Sequence, residues 1–245
     1  MVAREAHAGL VFHPSGGKFV GMDGAILALI AANAAFVGSH FLMSHPLRAR
    51  MVGALGAGGF QAVYVVVSFA TLAWVYFAFK AAPPADLPGS GEAGWAIATL
   101  LVLPALVLLS GSLIGNPALP TPKAEEQARA TPRGVFKVTR HPMMWGIGLW
   151  ALSHIVLFWS LRTTITALAM GILALVGARL QDRKKEVLMG DAWAAWESKT
   201  SYWPRLGALF SVGALPWTLG LILFVFLSWL HMPMGGIPAG IWRWF

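Results

Sequence analysis

The 245-residue chain is 57% hydrophobic and only 11% charged, with a mean hydropathy of +0.66, so its polar residues cannot coat a soluble globule. It contains no cysteine, which excludes disulfides, thiolate metal sites, cysteine nucleophiles and covalent c-type haem. Its formal net charge of +8 points to membrane lipid as partner and not to nucleic acid, because the charge is distributed by topology.

Residues 1–22 read as a polar tail, since they lack the apolar core and small-residue cleavage site of a secretory signal. A spanning helix needs about 20 mainly apolar residues, and six such runs are expected at 23–43, 60–79, 94–114, 143–160, 163–180 and 215–229. Barrel strands would alternate apolar with polar residues, and these runs do not. The expected fold is therefore all-α. It is a polytopic integral membrane bundle of about six helices over 23–230, with a C-terminal tail over 231–245.

Basic residues alternate with the spans. Arg48 and Arg50 follow the first, while only Asp86 and Glu92 lie between the second and third. Lys123, Arg129, Arg133, Lys137 and Arg140 precede the fourth, Arg162 alone follows it, and Arg179, Arg183, Lys184, Lys185, Lys199 and Arg205 precede the sixth. By the positive-inside rule the basic segments are cytoplasmic and both termini are not, in a bacterial inner membrane. The proline-rich stretches 83–88 and 116–122 read as linkers. From Lys184 to Trp203, charges interleave with Val187, Leu188, Trp193, Trp196, Tyr202 and Trp203, which suits an interfacial helix or a cap on the bundle.

Two histidines fall inside apolar runs: His40, late in the first, and His154, in the fourth. An intramembrane imidazole costs free energy and is a functional-site hypothesis by default. Neither shares its span with an acidic residue, so no carboxylate-oriented dyad is visible. A metal centre would reward two buried neutral imidazoles, and haem b held by axial histidines from different helices suits a cysteine-free bundle. The alternative is that each histidine hydrogen-bonds a backbone carbonyl or a serine. Residue counting puts His40 and His154 on opposite sides of the membrane midplane, an offset that a tilted coordination axis would absorb.

His45 and His141 each precede a proline at a span boundary, while His7, His13 and His231 read as solvated. The string Thr139-Arg140-His141-Pro142 is a helix start whose charged residues remain at headgroup level, where Arg140 and His141 can meet a lipid phosphate or a haem propionate.

Several of these strings together resemble the NnrU family of membrane proteins, which includes the 15-cis-zeta-carotene isomerases. The likeness rests on Gly38-Ser39-His40, Ser44-His45-Pro46-Leu47-Arg48, Asn116-Pro117, Arg133-Gly134, Thr139-Arg140-His141-Pro142, Trp145-Gly146, Leu149 to His154, Trp193, Thr200-Ser201 and Pro204. The resemblance implies haem b with His40 and His154 as axial iron ligands, and His141 beside them or on the substrate side. It also implies that Arg48, Arg133 and Arg140 serve the cofactor. In the isomerase, reduction is thought to free one axial ligand so that the iron can act on a cis double bond, so His40, His154 and His141 become the expected catalytic residues. A hydrophobic polyene would then enter from the bilayer past Phe36, Phe41 and Phe158.

Other readings are a haem sensor, an electron-transfer or nitric-oxide-linked protein associated with denitrification, and a structural or regulatory membrane protein. The chain is also similar to membrane methyltransferases that use S-adenosylmethionine, through Arg140-His141-Pro142 and the segment Asp182, Glu186, Gly190, Trp193 and Trp196. It departs from them in carrying Arg183-Lys184-Lys185-Glu186 where those enzymes pair glutamates.

Overall fold

The computed structural model describes residues 17–245, with side chains from Gly24 onward. Its helices are α1 (Gly17–Ser44), α2 (Arg48–Ala81), α3 (Gly91–Gly111), α4 (Ala124–Arg129), α5 (Pro142–Leu157), α6 (Leu161–Met189), α7 (Asp191–Lys199) and α8 (Ala214–Gly235). Short 3-10 turns occupy Gly134–Lys137, Leu206–Ser211 and Gly240–Arg243, and no strand occurs among the described residues. The protein is a polytopic helical membrane bundle. Helices α1 (from Gly24), α2, α3, α6 and α8 are long and apolar enough to cross a bilayer.

The expected fourth span is shorter than its apolar run. Pro142 opens α5 in its first turn, and Phe158 closes it in the left-handed region at φ 43° after 16 residues. Beyond that point the backbone is used by a loop: Leu87, Gly89 and Ser90 donate to the carbonyls of Trp159, Phe158 and Leu157. Helix α2 starts earlier than expected and breaks at Gly56, whose φ of 70° and ψ of 170° are not helical.

The helices pack in the order α2, α1, α6, α5, α3, α8, each on the next. With lipid outside, close backbone approach replaces hydrophobic burial as the source of cohesion. A Cβ at Gly146 of α5 would lie 2.7 Å from the Ala105 carbonyl oxygen of α3, and one at Gly220 of α8 would lie 2.6–2.9 Å from three atoms of Val107. These glycines let α3 lie between α5 and α8. The α2–α1–α6 side closes around Leu29, Ala32, Phe36, Val75 and Ala78.

The two ends of the bundle differ. At one end, here the basic end, the α1–α2 turn, the start of α5, the end of α6 and helix α7 come together. Arg140 N donates to Ser201 O, Arg205 N to Val138 O, and Lys185 Nζ to Pro117 O. At the opposite end Leu161 N donates to Asp86 Oδ1, and Arg162 Nη1 to the carbonyls of Phe79 and Ala82.

Two expectations need correction. The segment from Lys184 to Trp203 is not one interfacial helix, because α6 runs on to Met189 and α7 turns in as a cap. Trp193 and Trp196 are buried against Phe136, whereas Val187, Leu188 and Trp203 are exposed. The expected C-terminal tail begins inside α8, and its last turn packs back on α8, where Gly240 sits at φ 57° against Ser228. The expected N-terminal tail lies outside the described residues as far as residue 16, and α1 begins at Gly17.

Candidate functional site

His154 lies one turn before the end of α5, half-buried. Its Nδ1–H donates to the Trp150 carbonyl oxygen at 2.9 Å, with Ser153 Oγ 3.1 Å from the same nitrogen, and the Trp150 ring packs at 4.5 Å between centroids. A neutral imidazole that donates from Nδ1 keeps its lone pair on Nε2. No hydrogen-bond partner for that Nε2 occurs among the described residues. The ring centroid of His231, on α8, stands 6.3 Å away at an interplanar angle of 32°. His231 is exposed and lies within α8, not beyond it; its Nδ1–H donates to Leu227 O at 2.8 Å.

His40 is elsewhere. Its Nδ1–H donates to Phe36 O at 2.7 Å and its Nε2 accepts from Ser68 Oγ of α2 at 3.3 Å, while Phe36 and Tyr64 pack on the ring. Both nitrogens are thus engaged within the α1–α2 pair. Helix α6 lies between α1 and α5. Phe41 packs at Gly177 of α6 and Ala151 packs at Gly171. The antiparallel run of α5 then puts His40 and His154 about eight residues apart along α6, about 12 Å at the helical rise.

The expected pairing of His40 with His154 is therefore not made. Metal–imidazole bonds of about 2 Å require the two ligating nitrogens to approach within about 4 Å of each other. The depth offset visible in the sequence survives, and a helix stands in the way.

His141 belongs to a third place, the basic end. Arg140 donates from Nε to both oxygens of Asp182 at 3.0 Å and from Nη2 to Oδ2 at 2.7 Å; the same Nη2 stands 3.0 Å from Glu197 Oε1. His141 Nε2–H donates to Asp182 Oδ1 at 2.7 Å. Asp182 is almost fully buried, so these charge-assisted bonds offset the cost of taking its carboxylate out of water. Burial outweighs Arg140 at Glu197 and pushes that carboxyl up from its ordinary range; burial likewise raises the Tyr202 phenol. Tyr202 accepts from Trp145 Nε1 through its carbonyl and donates from its hydroxyl to Leu175 O. His141 Nδ1 is buried without a partner among the described residues, beside a cavity of about 20 Å³ that Asn116, Arg140, His141 and Gln181 help to line. That volume suffices for one water.

The other expected site residues lie away from His154. Arg140 is taken up by two carboxylates, and Arg48 and exposed Arg133 share its side of the molecule, so none of the three is near His154. Phe36 is core between α1 and its neighbours, while Phe158 is exposed at the opposite end. His45, at the α1–α2 turn, is held below its ordinary pKa by burial and then by Lys184. His7 and His13 lie outside the described residues.

Sequence reading missed two partnerships. Asp182 lies 41 residues from His141, so no local spacing announces the pair. His231 reads as solvated when the apolar run ends at Trp229, whereas a helix continued to the glycines at 235 and 236 contains it.

The family model described as NnrU protein matches residues 28–239. No curated protein and no solved structure matches the chain.

Proposed function

The chain belongs to the NnrU family, and from that premise we propose that it is an integral membrane haem b protein with His154 as an axial ligand of the iron. The observation that carries this reading is the state of His154. Its imidazole is held on an apolar helix, fixed through Nδ1 by the Trp150 carbonyl, with no partner for Nε2 among the described residues. Ligating histidines are oriented in this way, the second nitrogen donating to a carbonyl that fixes tautomer and ring direction. A free intramembrane imidazole with no ligand would be a cost without a return.

The donor chemistry around His154 fits the group in kind. Histidine is a proximal ligand for haem iron, and the surrounding helices offer apolar side chains for the macrocycle. When bound, haem b would supply a one-electron couple and a Lewis-acidic iron. Trp150 and Ser153 hold the His154 ring in place. The charge distribution supports a cytoplasmic basic end, with His154 toward the opposite end of the bundle.

For the reaction, we infer the redox-dependent cis-to-trans isomerisation of an apolar polyene. It is supported by the family resemblance and by the exposure of Leu152 and Phe158 beside His154, where a bilayer-dissolved chain has access. The methyl-donor reading finds less support, because the Arg140–His141 site is filled by Asp182 and Glu197 and its cavity of about 20 Å³ is far smaller than the few hundred a nucleoside-sized ligand needs.

The test is purification from haem-replete cells, with oxidised and reduced visible spectra and a pyridine haemochrome assay. Bound b-type haem is the expected result, and a colourless, well-folded preparation overturns the reading. Incubating the reduced protein with a 15-cis polyene and separating the products tests the reaction. Haem without isomerisation would instead indicate sensing or electron transfer.

A further inference from the structure

Four basic side chains converge where α1 turns into α2 beside the last turns of α6. Helices α1 and α6 pack side by side and both end at the basic end, with Phe41 against Gly177. At about 1.5 Å per residue, His45 then comes level with Gln181, and Arg48 with Lys184 and Lys185. Lys184 is close enough to His45 and to Arg48 for their charges to repel, and Lys185 is close enough to Arg48.

No acidic group pairs with them among the described residues. The ion pairs there join Arg140 to Asp182 and Glu197, His141 to Asp182, and Arg243 to Glu92. The acids of α6 lie on another face of the helix: Asp182 is held by Arg140 and His141, and Glu186, one turn on, lies near Glu197. Lys185 is buried, and its Nζ donates to the Pro117 carbonyl oxygen at 3.0 Å. A carbonyl satisfies one proton of an ammonium and leaves its charge uncompensated. His45, Arg48 and Lys184 are half-buried around it. Like charges gathered out of water in this way raise the energy of the site until an anion joins them.

The surroundings suit an anion that carries acyl chains. The first turn of α2 opens here with no side-chain cap, so its N–H groups add positive potential. Exposed Leu42, Leu47 and Leu188 flank the cluster with apolar surface. A phosphate group offers several strong acceptor oxygens and the missing negative charge together.

We propose that His45, Arg48, Lys184 and Lys185 form a binding site for one phosphate group, supplied by an anionic phospholipid of the surrounding bilayer. The site lies at the end of the bundle opposite His154 and is independent of the haem reading.

The experiment uses the full chain, purified in non-ionic detergent and washed free of lipid. It reads the unfolding midpoint against added phosphatidylglycerol, a diacylglycerol with the same chains, or inorganic phosphate. Phosphatidylglycerol should raise the wild-type midpoint and the diacylglycerol should not. Lys184→Gln and Arg48→Gln should each raise the phosphatidylglycerol concentration required by about tenfold, the effect of losing one charge-assisted hydrogen bond. Arg133→Gln, which removes an exposed cation from the same side of the molecule, should leave it unchanged. Without lipid, Lys184→Gln should unfold no lower than the wild type, because it relieves repulsion; this separates lost binding from misfolding. If inorganic phosphate alone raises the midpoint with the same dependence on Lys184 and Arg48, the phosphate site stands and its source is soluble. The proposal is overturned if the diacylglycerol acts as well as phosphatidylglycerol, if Arg133→Gln weakens the effect as much as Lys184→Gln, or if neither phosphate source moves the midpoint.

Discussion

His141 Nε2 and Asp182 Oδ1 stand 2.7 Å apart across 41 residues of sequence, joining the start of α5 to the end of α6. Because Arg140 shares the same carboxylate, one buried acid secures both Arg140 and His141 of the Arg-His-Pro string.

Removing that acid should be severe. Asp182→Asn leaves a guanidinium without its main partner in a buried site, a loss of about 3–5 kcal/mol. Thermal unfolding in detergent should show a large fall in midpoint. A variant as stable as the wild type would mean that Arg140 simply turns to Glu197 and water.

Glu197 should behave differently, although it also touches Arg140. Its folded pKa is raised, first by burial, so the fold favours the protonated form and any stability it contributes is lost as pH rises above the ordinary carboxylate range. Glu197→Gln should flatten that part of a stability–pH profile and cost less than about 1 kcal/mol at neutral pH. A loss equal to that of Asp182→Asn would show instead that the Arg140–Glu197 contact is essential.

His40 tests the structural reading of an intramembrane histidine. Its bond to Ser68 ties α1 to α2, and a half-buried hydrogen bond of this kind contributes up to about 1 kcal/mol. A double-mutant cycle of His40→Ala with Ser68→Ala should return a coupling of that order. Independent, additive losses would show that the bond does not hold the two helices.

The glycines separate packing from propensity. Gly146→Ala puts a methyl group 2.7 Å from the Ala105 carbonyl oxygen, so α3 and α5 must part, at about 1–3 kcal/mol. Gly38→Ala meets nothing within 4 Å and should gain up to about 1 kcal/mol from helix propensity. Unfolding midpoints that move in the same direction for both would contradict the close α3–α5 contact.

Composition and the length of the apolar runs determined the fold class, because a helix must satisfy its own backbone inside a bilayer and only about 20 apolar residues can carry it across. The same patterning put His40 and His154 within helices and Arg140-His141-Pro142 at a helix start. Their companions could not be read there. Which side chains meet depends on helix order and register, and these follow from where glycines let backbones approach, as Gly146 and Gly220 do on either side of α3. That packing put α6 between His40 and His154 and brought Asp182 to His141. It also placed His231, one turn from the end of α8, opposite His154. Local sequence determined which residues lie in the membrane; the order of the helices decided which of them face each other.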